Sequence, residues 1–318
     1  MLLCATRRGL RVLQRLRALL PDDRLDVVSF REEPHEPPFL DDIASFCATH
    51  CVAFREARRV EQESLGAFWD EAPIELLLAV SWRYIIDEGF LARPQRGAWV
   101  FHDSLLPKYR GFSPTVWAIM NGEQRIGVTL ARMVAAVDAG PIADQERCAD
   151  LTAEDTIATV IPRIDKAYLA LLERNIHGML AGSIATSPQD HETASYGCRR
   201  VSADNEMVWS RPTRQLHNLV RAVSRPYPGA FTWFGGALLR VWAARVPEDA
   251  PCYTGRVPGR VVDVRPGEGI VVLTGDGSLL LTEVQLADGA PCCPSSIVTS
   301  VSTTLGRTVD PVIASARS

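Results

Sequence analysis

The chain has 318 residues, enough for one large domain or two. Its 47% hydrophobic and 23% charged content is that of an ordinary soluble globular protein. A formal charge of −4 gives no whole-chain attraction for nucleic acid, and no apolar run approaches the roughly 20 residues that span a bilayer.

Residues 1–20 (MLLCATRRGLRVLQRLRALL) carry five arginines and no acid, as a mitochondrial presequence would. They also read as a strand over 2–5, a turn over 6–9 and a helix with Leu10, Val12, Leu13, Leu16, Leu19 and Leu20 largely on one side. The second reading is preferred, because an α/β domain would lose its first strand and helix on cleavage. The location expected is cytoplasmic.

Residues 26–30 (DVVSF) are strand-like, 39–50 helix-like, 51–54 strand-like and 60–69 helical. The apolar run 74–80 (IELLLAV) suits a strand buried on both faces. Residues 97–101 (GAWVF) make another such strand, which ends directly on His102. Strand–helix alternation predicts a mainly parallel sheet with crossover helices. In such sheets the site lies outside the carboxyl ends of the strands, where His102 falls. A GxGxxG or Walker-type loop is absent, so a dinucleotide or nucleoside triphosphate is not supported.

Residues 127–133 (GVTLARM) and 141–145 (PIADQ) read as a hairpin pair joined through the turn 137–140. Residues 152–180 form a long amphipathic helical region, expected to break near Pro162. The small, polar stretch 181–194 is the linker candidate. Beyond it a helical segment, 213–222, is followed by strand-like runs at 227–234, 237–244, 259–264, 269–274 and 278–286. Separated by Gly, Pro and Asp, these predict a small β-barrel. The tail 295–318 either packs as a last strand or stays loose. Eight cysteines are scattered without a zinc-type spacing, so reduced thiols and no metal site are expected.

His102 precedes Ser104-Leu105-Leu106-Pro107 and then Tyr109-Arg110-Gly111, while Asp138 sits in Val137-Asp138-Ala139-Gly140. A histidine at a strand end is often structural, and Asp-x-Gly is common in tight turns. Acyl transfer would give both a different use. It passes through a tetrahedral oxyanion, which needs donors aimed at the developing charge and a base for the attacking amine. Histidine can donate from one ring nitrogen while a partner holds the other. A Ser104/His102/Asp103 hydrolase triad is disfavoured, because residues so close in sequence rarely form one and no GxSxG elbow is present. Ser104 is expected to cap the loop.

The run 101–145 resembles the folate-dependent formyltransferases: methionyl-tRNA formyltransferase, the nucleotide amino-sugar N-formyltransferases and the hydrolase domain of formyltetrahydrofolate dehydrogenase. Arg199-Arg200, Met207-Val208-Trp209 and LHNLVRAVSRPYPGAFTW over 216–233 extend the resemblance to roughly residues 1–290. That last run is close to the version in bacterial aminoarabinose N-formyltransferases. The resemblance implies an α/β protein, with a Rossmann-like, mainly parallel catalytic domain over 1–190 and a small OB-like β-barrel domain over 195–318. A homodimer is compatible with it. The implied activity moves a formyl group from the co-substrate N10-formyltetrahydrofolate to a small-molecule amine, either a nucleotide amino sugar or an amino-acid type such as an N-hydroxyornithine siderophore precursor. Neither a metal, a nucleic acid nor a membrane is implied as a partner, and no basic stripe suited to tRNA is visible after residue 201.

Carried over by motif, the catalytic residues are His102 and Asp138. The cofactor-binding set is Trp82, Tyr84 and Ile86 from AVSWRYII, with Ser104, Leu105, Gly111 and Val137. Arg110-Gly111 is expected to shape the passage between co-substrate and acceptor, and Arg221 and Tyr227 to hold the domain interface. Two departures matter. Val100 stands where the family pattern Asn-x-His-x-Ser-Leu-Leu-Pro has asparagine, and loss of one oxyanion donor typically costs about 10²–10³ in rate. Ala131 stands where many relatives have histidine. These departures keep two alternatives open: altered one-carbon chemistry (hydrolysis, or transfer of another acyl or carbamoyl group), and a binding protein without turnover.

Overall fold

The computed structural model describes residues 1–33, 36–61, 65 and 73–307. The chain forms two compact units, each drawn from separated stretches of sequence. The first comprises 1–115, 124–151 and 160–199; the second comprises 116–123, 152–159 and 200–318.

The first unit is built on one seven-stranded sheet of order β3-β2-β1-β4-β5-β7-β8. These strands are β1 (Leu2–Cys4), β2 (Asp26–Ser29), β3 (Ala53–Glu56), β4 (Leu77–Val80), β5 (Ala98–His102), β7 (Gly127–Arg132) and β8 (Ile142–Arg147), while the short β6 (Arg110–Gly111) and β9 (Tyr196–Gly197) pair in parallel as a separate two-stranded sheet. β1 to β5 run parallel, and β7 and β8 close the edge antiparallel. The central strands are apolar without alternation because both faces are covered. Leu2, Leu3 and Cys4 are fully buried, and so is all of β4. Helices α1 (Thr6–Leu19) and α2 (Leu40–Thr49) make the first crossovers. The order 3-2-1-4-5 reverses direction between β1 and β4, the topology that opens a crevice at the carboxyl strand ends.

The expected helix over 60–69 lies largely outside the described residues, as does the tail beyond 307. The break expected at Pro162 does not occur. The helix Ile157–Ala181 runs continuously through it. An interior proline costs roughly 3 kcal/mol, whereas Ile157, Val160, Ile164, Tyr168, Leu171, Leu172, Ile176 and Met179 are all buried along that helix. Each contributes roughly 1.5–3 kcal/mol, so packing outweighs the lost hydrogen bond. The hairpin connection is also longer than the predicted turn, since β7 ends at Arg132 and β8 begins at Ile142.

The second unit carries the helix Thr213–Val223 and a five-stranded antiparallel sheet of order β10-β11-β14-β13-β12. Its strands are β10 (Ala230–Phe234), β11 (Ala237–Arg245), β12 (Val261–Arg265), β13 (Gly269–Leu273) and β14 (Ser278–Leu286). Among the described residues β10 and β12 are edges, so the sheet is open. The segment after 295 bridges back onto it, pairing Thr304 with Arg260. Arg221 is buried and donates from Nη1 to the carbonyls of Thr152 (3.1 Å) and Asp155 (2.9 Å) within this same unit.

Candidate active site

His102 is the last residue of β5, and the chain turns away from the sheet directly after it. The loop that follows is held on every side. Thr129 Oγ1, on the neighbouring strand β7, donates to Ser104 O at 2.7 Å and accepts from Leu106 N–H at 3.0 Å. Gln145 Nε2 donates to Leu106 O at 2.9 Å, and Ser104 Oγ to Lys108 O at 2.7 Å. Ser104 thus caps the loop, as expected, and is buried in doing so.

His102 is buried, and both ring nitrogens have partners. Nε2 lies 2.8 Å from Tyr109 O, and Nδ1 lies 3.5 Å from Asp138 Oδ2. A carbonyl can only accept, so Nε2 carries the proton in this arrangement. Nδ1 then faces the carboxylate, which also accepts the Gly111 N–H at 2.8 Å. Asp138 reaches this position from a left-handed backbone conformation, φ +51°, which short polar side chains tolerate better than most. The Asp-x-Gly spacing has a steric cause as well. A Cβ at Gly140 would lie 1.9 Å from Arg132 O, so only glycine lets the loop close there.

The neighbouring polar residues point elsewhere. Asp103 is paired with Arg8 at 3.2 Å and accepts from Tyr168 Oη at 3.2 Å, while Ser104 is committed to Lys108 O. No Ser/His/Asp triad is assembled from residues 102–104.

The predicted cofactor residues fall into different environments. Trp82 and Tyr84 are half-buried and make edge contacts with Phe30 and with each other. The Trp82 indole Nε1 is buried with no hydrogen-bond partner, an orphan donor of the kind that costs roughly 1–3 kcal/mol. Ile86 is packed in the core with Leu77 and Phe90, whereas the preceding Ile85 is 87% exposed. Leu105 is half-buried against Gly127, and Val137 is 53% exposed beside Asp138. Gly111 contributes its backbone N–H to Asp138. Val100 is half-buried and lies opposite Ala131 in the β5–β7 register, so the two departures from the family pattern are cross-strand neighbours.

Arg110 does not line a passage: it is 1% exposed. Its guanidinium donates to Gln189 Oε1 from Nε (3.1 Å) and Nη2 (2.7 Å), and to Tyr196 Oη at 3.0 Å, with His191 Nδ1 at 3.1 Å. Gln189 belongs to the stretch read as a linker. That stretch is instead anchored, since Gln189 Nε2 donates to Asp138 O (2.8 Å) and Gly140 O (2.7 Å), and Ser187 bridges to Ile142. A glutamine in a small, polar segment carries no sequence signal of such a role. Among the described residues no group of His, Cys, Asp and Glu is placed to hold a metal, and no helix is long and apolar enough to cross a membrane.

Residues 22–176 match the family model described as formyl transferase, and 201–302 match that of the formyl transferase C-terminal domain. Among solved structures, the chain is similar to WlaRD, a sugar 3N-formyl transferase crystallised in the presence of dTDP and 5-N-formyl-THF. The match covers 91% of this chain and 97% of WlaRD, with TM-score 0.65 and 16% identity. It is similar to an N-formyltransferase from Helicobacter canadensis in complex with folinic acid and dTDP-3-aminofucose, over 88% of this chain and 97% of the other, with TM-score 0.64 and 14% identity. HypX from Aquifex aeolicus, in complex with tetrahydrofolic acid, matches 86% of this chain with TM-score 0.59 and 16% identity; the chain spans 46% of its length. At these identities the likeness concerns the fold.

Proposed function

Because the chain belongs to the formyl transferase family, with that family's two parts in order along it, we propose that it moves a formyl group from N10-formyltetrahydrofolate to an amine of a small metabolite. The observation that carries this reading is the meeting of His102 and Asp138 at the carboxyl end of β5. The residues present suit a flat, polar heterocycle: Trp82 and Tyr84 offer ring faces and edges, and the orphan Trp82 Nε1–H seeks an acceptor. N10-formyltetrahydrofolate supplies the activated formyl carbon that the acceptor amine attacks.

His102 directs its Nε2–H at the oxyanion once Tyr109 O has yielded that position. Asp138 takes the proton released by the attacking amine and hands it to N10 as the C–N10 bond breaks, so one proton leaves the acceptor and one arrives on the leaving nitrogen. A nucleotide-linked amino sugar is the acceptor class that the aminoarabinose-like run 216–233 and the sugar N-formyltransferase neighbours support. The test is incubation with 10-formyltetrahydrofolate, with and without amino-sugar nucleotides or N-hydroxyornithine, following tetrahydrofolate release. Amine-dependent release is the expected result.

The apolar pair Val100–Ala131 favours a second reading, in which the same fold runs hydrolysis or only binds. Valine offers no donor to an oxyanion. Release without an amine would select hydrolysis, and binding without release would select a pocket that has lost turnover. Under the leading reading, Val100→Asn raises kcat by roughly 10-fold, a part of the ~10²–10³ that a pre-organised donor contributes. A slower variant would show that the valine serves a different substrate geometry. Trp82→Phe removes the orphan donor and is expected to weaken folate binding by about 3–10-fold in calorimetry. Unchanged affinity would take Trp82 out of the site.

A further inference from the structure

Arg110 is a fully buried cation whose hydrogen-bond partners include no carboxylate. Burying a charge in this way is expensive, and an apolar residue of similar volume would often be neutral or better for stability. Its position in the chain shows what it does. The next residue, Gly111, donates its N–H to the front of Asp138, at Oδ2. The side chain of Arg110 reaches the back of Asp138 through Gln189.

We infer that Arg110 and Gln189 form a buried clamp that positions Asp138 against His102. The inference rests on the formyl-transfer reading for what the pair does, though not for the geometry. The chemistry of the clamp admits one orientation. A guanidinium can only donate, so Gln189 must turn Oε1 toward it. Its Nε2 then faces the carbonyls of Asp138 and Gly140, which can only accept. Two donors from one amide hold both sides of Ala139, and so hold Asp138 in its left-handed conformation. Both residues are positioning residues, since neither touches the reacting groups.

The decisive variant is Gln189→Glu. It keeps the acceptor that Arg110 needs and presents a second oxygen, not a donor, to the two carbonyls. Asp138 is then released while the buried arginine gains a counter-ion. A displacement on the order of 1 Å at a catalytic group costs about 10²-fold. The expected result is a kcat lowered by about 10²-fold, a KM for 10-formyltetrahydrofolate within about threefold of wild type, and a moved His102 ring signal in 15N NMR of the histidines. Wild-type kcat with an unmoved ring signal would overturn the clamp. Should Gln189→Glu fail to fold, Gln189→Met, of similar length and without polar atoms, carries the same measurements; failure of both to fold would assign a purely structural role and also overturn it. If the wild type transfers no formyl group, the formyl-transfer reading falls alone. The ring signal of the variant then decides the clamp.

Discussion

Replacing His102 with alanine is expected to lower kcat/KM for formyl transfer by about 10²–10³-fold, the usual contribution of a positioned oxyanion donor. The fold should survive. His102 ends a strand and does not sit in its middle, and among the described residues its ring bonds Tyr109 O and faces the Asp138 carboxylate. Loss of the imidazole removes one bond to Tyr109 O, and the Asp138 carboxylate keeps the Gly111 N–H. Asp138→Asn separates charge from shape, since the amide oxygen can still accept from Gly111 while the base is gone. A comparable loss of kcat in that variant, with unchanged folate binding, would place both residues in the chemical step. Turnover at the wild-type rate in His102→Ala would remove the imidazole from the mechanism.

The largest expected effect on stability comes from Arg8→Met. Arg8 Nε donates to Asp165 at 2.7 Å and Nη1 to Asp103 at 3.2 Å, with the guanidinium 4.7 Å from the centre of the Tyr168 ring. Tyr168, fully buried, donates to Phe101 O and Asp103, and burial with the neighbouring carboxylate raises its hydroxyl pKa well above the ordinary value. This network pins the residue after His102 to α1 and to the helix Ile157–Ala181. Asp165 keeps its pair with Arg11 at 2.8 Å, so the loss falls on the partly buried Asp103 and should cost about 3 kcal/mol at neutral pH, the low end of the penalty for stranding a buried charge.

The sign of the pH dependence follows from Asp103. Burial alone would raise its pKa, but the charges of Arg8 and His102 and the Thr115 hydrogen bond outweigh this and hold it below the ordinary carboxylate range. A depressed folded-state pKa contributes stability that is present above the unfolded value, roughly 3.9, and is lost as pH falls through the folded value. The gap between wild type and Arg8→Met should therefore be widest at neutral pH and shrink as the medium is acidified below about pH 4. Denaturant titrations at both pH values measure it. A gap that stays constant with pH would mean that Arg8 contributes through packing on Tyr168 alone.

Amino-acid order determined the architecture of the first unit because its signals are local and repeated. The apolar runs at 2–5, 26–30 and 74–80 read as strands and are strands, and the fifth parallel strand ends where GAWVF meets His102. Ser104 as a loop cap was legible for the same reason: its partner, Lys108 O, lies four residues along the chain. Tertiary structure decided what depends on distant neighbours. Pro162 stays helical because eight buried residues hold its helix, and Ile85 rather than Ile86 faces solvent because Phe90 and Leu77 claim the latter. Val100 and Ala131 become a pair only in the antiparallel register of β5 and β7. Above all, Gln189 looks like linker composition until the fold brings it beneath Asp138, between a buried guanidinium and two carbonyls. A hydrogen bond across fifty residues leaves no periodicity in the chain, since its partners are chosen by burial, and burial exists only once the layers have packed.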